Sequence, residues 1–174
     1  ACSGANCNVS IDANISVKGI NIEAAYPGTI TQNTTRTIVI GADGWNQLGG
    51  TFAGGDSNIT INNIFTLSGG TFTATSAQML VTSGFTYTAG TFNHNSGLLR
   101  FDPNGIMAMN STINVALPGS VQLGSLQYSG GWAGSTAAYT VNITSGSFDV
   151  QNQFEIGLTV GTATGGIYAT GGTI

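Results

Sequence analysis

Apolar residues recur along this chain at two periods at once. Within short segments such as "NITIN", "FTLS" and "FTYT" the period is two, which sends successive side chains to opposite faces of a strand. Between segments the period is twenty, since Gly-Thr-Phe occurs at 50–52, 70–72 and 90–92. Aligned at that interval, Phe52, Phe72 and Phe92 form one column, Ile59, Met79 and Leu99 a second, and Ile61, Val81 and Phe101 a third. Phe65 with Phe85, and Leu67 with Tyr87, add two more. All five columns are apolar. Polar columns separate them, among them Thr51, Thr71 and Thr91.

Strands of three to five residues between Gly, Ser and Asn turns, repeated in strict register, predict an all-β fold of one kind. Each repeat of about 20–22 residues makes one coil of a parallel β-solenoid (β-helix), and a coil buries its apolar face only by stacking on the next. An antiparallel sandwich spaces its turns similarly but has no reason to align them in columns. The pattern reaches upstream: "GTITQ" lies at 28–32, Ile38 and Ile40 precede Ile59 and Ile61, and Trp45 falls twenty before Phe65. The alternation continues downstream in "STINVALPGSVQLGSLQY" and "YTVNITSGSFDVQNQF" without the spacing. The expected organisation is one domain over 1–174: a Cys-containing segment at 1–8, regular coils over 9–108, irregular coils with a loop insertion around "SGGWAGSTA" at 109–140, and C-terminal coils over 141–174. Roughly eight coils at about 4.8 Å each give a rod about 40 Å long, with no helix.

Composition sharpens this picture. Only 6% of the 174 residues are charged, against about a quarter in an ordinary globular protein, while 41% are hydrophobic. Stacking explains the shortage, because a charge repeated on successive coils repels its neighbours along the rod. The net charge of -4, with Lys18, Arg36 and Arg100 far apart, argues against nucleic acid, which needs clustered cations. No apolar run reaches the roughly 18–20 residues of a membrane helix, so no membrane insertion is expected. Cys2 and Cys7 are the only cysteines. They read as a local disulfide stapling the N-terminal segment in an oxidising compartment, with pairing between subunits as the other arrangement. A start on Ala1, with no apolar leader, reads as a mature secreted product.

"VTSGFTYTAGTFNHNSGLLRF" and "NVSIDANISVKGINI" resemble the repeats of secreted bacterial β-solenoid surface and adhesin-like proteins. The likeness covers most of residues 8–108. It implies a right-handed parallel β-helix, export, and a place outside the cell as a stalk, adhesin or matrix component. It carries no catalytic motif.

Some parallel β-helices are polysaccharide lyases or hydrolases, which makes the carboxylates worth weighing. These are Asp12, Glu23, Asp43, Asp56, Asp102, Asp149 and Glu155. Glycoside hydrolysis needs two of them within about 10 Å across a cleft, and the alignment sets Asp56 and Asp102 two coils and six columns apart. They read as solvated turn residues. His94, the single histidine, follows Ala74 and Gly54 in a turn column among Thr, Ser and Asn, and reads as a turn residue as well. No metal, cofactor or enzyme activity is expected. Threonine ranks around 71–73 and 86–88 could match an ice lattice, but neighbouring coils break each rank. The Phe columns and Trp45 read as core. Tyr128 and Trp132, in the irregular "LQYSGGWAG", are the candidate contacts for a surface glycan. Six Asn-x-Ser/Thr sequons, at Asn8, Asn14, Asn33, Asn58, Asn110 and Asn142, follow from composition.

The end "GGTI" reads as a repeat strand without a cap. An open terminal coil is a template for another chain. The expectation is therefore a non-enzymatic extracellular structural protein whose partners are other copies of itself, stacked head to tail into a filament or matrix. The alternative is an adhesin stalk or glycan-binding segment of a longer surface protein.

Overall fold

The period-two runs become strands and the Gly, Ser and Asn clusters become corners. The computed structural model describes residues 7–102, 111–130, 138–158, 164–169 and 172–173. Their strands are β1 (Val9–Ile11), β2 (Ile15–Ile22), β3 (Thr29–Gln32), β4 (Ile38–Gln47), β5 (Thr51–Ala53), β6 (Ile59–Ile61) and β7 (Ile64–Thr73). There follow β8 (Gln78–Val81), β9 (Gly84–Asn93), β10 (Leu98–Phe101), β11 (Ser111–Gly130), β12 (Ala138–Leu158), β13 (Thr164–Ala169) and β14 (Gly172–Thr173). The protein is all-β with parallel pairing, and no α-helix occurs among the described residues.

Residues aligned at period twenty are the residues that pair. Phe52 pairs with Phe72 and Phe72 with Phe92; Ile59 with Met79 and Met79 with Leu99; Ile61 with Val81 and Val81 with Phe101. Beyond Phe101 the interval lengthens: Leu98 pairs with Ser125 and Ser111 with Tyr139, and the β11–β12 ladder carries three register shifts. Of the expected loop at 129–137, Ser129 and Gly130 continue β11 instead, and residues 131–137 lie outside the described residues.

Two features depart from the expected stack of short strands. β11 and β12 run for 20 and 21 residues, and the hydrogen-bonded path closes on itself as a ring of seven strands, β7–β4–β6–β8–β10–β11–β9 and back to β7. The long strands cause both. β4 offers Ile38–Ile40 to β6 and Trp45–Gln47 to β7, while β11 meets β9 at Asn114–Ala116 and β10 at Ser125–Tyr128. A strand that turns a corner joins two faces into one sheet.

The core is the set of inward columns. Phe52, Phe72, Phe65, Phe85, Ile61, Val81 and Phe101 are fully buried. Rings stack directly on rings, Phe52 on Phe72 with centroids 4.9 Å apart and Phe65 on Phe85 also at 4.9 Å, while Trp45 packs edge-on against Phe72 at 5.2 Å. Phe92 is the exception to the predicted core ladder, being only half-buried. It stacks on Phe72 but β9 pairs with β11 at Gly84–Thr86, so among the described residues none is paired with Phe92 on its other side. The repeated Gly-Thr-Phe is a corner followed by a strand: Gly70 has φ +71°, and a Cβ there would collide with the Gly50 carbonyl in the repeat below. Thr71 then faces outward and Phe72 inward.

Candidate functional site

The outermost described members of the inward columns are apolar by the same logic that fills the columns. One column runs Ile15, Ile38, Ile59, Met79, Leu99, Leu126 and Phe154 across successive ladders. Its middle members are buried, Ile15 is half-buried, and Phe154 at the far end is 43% exposed. The next column begins at Val17, 37% exposed, below buried Ile40, Ile61 and Val81. Val9, below Ile30 and Phe52, is 49% exposed. β1 pairs only with β3 and β2 only with β4, so among the described residues each has one edge of backbone donors and acceptors unpaired. Among the described residues the outermost members of these columns are thus apolar and more exposed than the middle ones, and β1 and β2 lie beside unpaired strand edge.

Beside the first edge, Cys7 is buried and disulfide-bonded. Its carbonyl accepts the Tyr26 hydroxyl, and the Asn8 side chain accepts the Thr29 N–H at 2.9 Å. Cys2 lies outside the described residues.

The glycan site expected at Tyr128 is corrected. Tyr128 is fully buried because it pairs with Phe101 and continues the column Ile61, Val81 and Phe101, so its ring face is not available to a sugar. The likeness of "SLQY" to "LLRF" carried this signal, obscured by an interval longer than twenty. Trp132 lies outside the described residues.

The outward face of β3, β5, β7 and β9 aligns Thr29, Thr51, Thr71 and Thr91 in one ladder, a longer rank than the sequence alignment indicated. The parallel rank, Thr31, Ala53, Thr73 and Asn93, is interrupted.

Charges lie apart or in opposite pairs. Lys18 meets Asp43 at 3.0 Å and Arg100 meets Asp102 at 2.7 Å. Asp56 accepts the Thr35 N–H at 2.6 Å and the Ser57 hydroxyl at 3.1 Å; chiefly the Thr35 bond holds its carboxyl below the usual carboxylate range, against the opposing effect of desolvation. Among the described residues no three His, Cys, Asp or Glu side chains gather to hold a metal ion. Among them no helix is long and apolar enough to cross a membrane.

Two buried polar side chains escaped the sequence reading. Gln32 donates to the Arg36 and Ser57 carbonyls and accepts the Gly55 N–H at 2.9 Å. Gln47, below Leu67 in an inward column, donates to the carbonyls of Gly49, Gly50 and Thr71 at 3.0–3.4 Å. Both tie corners of adjacent repeats together from inside. The chain matches no protein-family model, and no significant match is found among the curated proteins or the solved structures.

Proposed function

We propose that this chain is a parallel β-solenoid acting as a non-enzymatic structural protein outside the cell, its copies joined head to tail in a filament or matrix. The solenoid reading is supported by the pairing interval, 22 residues from β3 to β5 and 20 from β5 to β7 and from β7 to β9. An extracellular setting is supported by the Cys7 disulfide and by a surface carried on Thr, Ser and Asn.

One observation carries the assembly: among the described residues the outermost members of a single inward column are half-buried Ile15 on one side and exposed Phe154 on the other. A second copy stacked in register lays its Phe154 on Ile15, continuing the column at the ordinary strand spacing of about 4.8 Å. Burying an apolar side chain of this kind contributes about 1.5–3 kcal/mol, and the unpaired edges of β1 and β2 gain ladder partners. The contact is heterologous, and such contacts propagate into fibres when the rotation does not close.

Light scattering and negative-stain electron microscopy over a concentration series test this. Fibres of constant repeat are expected, with Val17→Lys or Phe154→Lys leaving monomers of unchanged far-UV circular dichroism. A wild-type chain that stays monomeric at high concentration, or variants that assemble undiminished, overturn the proposal.

A further inference from the structure

Two successive corners after the Phe column are each held by a side chain that accepts the amide N–H two residues on. The Thr75 hydroxyl oxygen accepts the Ala77 N–H at 3.1 Å, and in the following repeat His94 Nδ1 accepts the Ser96 N–H at 2.9 Å. Hydroxyl and imidazole perform the same task. They differ in their response to protons, since imidazole changes charge between about pH 5 and pH 8.

An amide N–H can only donate, so Nδ1 must be unprotonated and a neutral ring carries its proton on Nε2. Protonation turns the acceptor into a second donor facing the first. The corner it holds is strained: Asn95 and Ser96 have φ of +51° and +58°, left-handed values that residues with a Cβ seldom adopt, above all two in succession. Two other bonds brace it, from Gly97 N–H to the His94 carbonyl at 3.0 Å and from the Asn95 side chain to the Ala74 carbonyl at 3.0 Å.

We propose that His94 is a proton-operated latch on the corner 94–97, closed when the ring is neutral and released when it is protonated. The ring is half-buried at a small apolar recess lined by Ala74, Thr75, Met79, Phe92, Leu99 and Leu123. None of these titrates, nor do Gly97 and Leu98, which complete the lining, and neither ion pair among the described residues involves His94.

Its position gives the release a consequence. Ser125 N–H bonds to the Gly97 carbonyl at 3.3 Å, and a Cβ on Gly124 would lie 2.9 Å from the Ser96 carbonyl carbon. The corner is the seat on which β11 rests where the pairing interval lengthens. Acid therefore loosens the junction between the regular repeats and the wider ones, next to half-buried Phe92.

Amide hydrogen exchange on the intact chain, resolved by nuclear magnetic resonance from about pH 8 to about pH 5 and corrected for intrinsic exchange, tests the latch. The Ser96 protection factor is expected to fall about tenfold, the scale of one lost hydrogen bond, along the curve of the His94 ring protons. Ala77, held by a hydroxyl, stays constant. His94→Asn keeps an acceptor that does not titrate, and should retain Ser96 protection at every pH. The proposal is overturned if Ser96 stays protected through the ring titration, if the fall persists in His94→Asn, or if Ala77 falls in parallel.

Discussion

Phe72 lies between two rings, Phe52 at 4.9 Å and Phe92 at 5.7 Å, with Trp45 and Phe65 against its edges. Truncating it removes contacts on every side, and stacked backbones held at fixed spacing cannot collapse into the void. Phe72→Ala should cost about 3–5 kcal/mol, read as a lowered urea midpoint, and Phe92→Ala clearly less because Phe92 is already half-exposed. Equal losses would refute the stacked-column account. These phenylalanines were legible in the sequence because an inward side chain in a regular stack has the same neighbours in every repeat. Gln32 and Gln47 were not, since polarity disguises an inward position and only the bonded carbonyls reveal why amides belong there. Tyr128 was misread for another reason: alternation alone does not fix the face once the interval from Phe101 exceeds twenty.

Among the elements, the corners carry the polar chemistry that strands cannot. Asp56 closes the corner of the preceding repeat by accepting the Thr35 N–H, with Thr35 at φ +63°. Because that bond favours the charged carboxylate, its folded pKa lies below the unfolded value. The group's contribution is therefore fully present above the unfolded carboxylate pKa of about 3.9 and is lost as pH falls through the lower folded value. Asp56→Asn keeps the acceptor oxygen without the titration. Stability of the wild type measured down the acid range should show a loss that this variant lacks; identical profiles would mean that the bond does not distinguish the two protonation states. The sequence marked 54–57 as a turn by composition, but which turn residue faces which amide of the next repeat depends on the rotation from one repeat to the next. That rotation has no signature in a one-dimensional pattern. The seven-strand circuit was hidden likewise, because nothing in "GADG" says whether a strand stops at a corner or bends through it.

For the whole molecule, the proposed solenoid would make stability a sum of nearest-neighbour terms between successive repeats. A repeat with partners on both sides should open less often than one at an end. Native-state hydrogen exchange should then be slowest at Ile59–Ile61 and Phe65–Leu67, each paired on two sides, and fastest at β1 and β2, each paired on one. Phe72→Ala should weaken protection in β5 and β9, which pair with its strand, before β12, which does not. A uniform profile would instead mean that the closed circuit of seven strands opens as one unit. The same experiment bears on assembly, because a second copy laid on β1 and β2 gives them the partners that interior repeats have. Their protection should rise with protein concentration toward that of β3 and β4, and Val17→Lys should abolish the rise while leaving Ile59–Ile61 unchanged. Concentration-independent exchange at β1 and β2, in a sample that forms fibres, would place the contact between copies elsewhere on the surface.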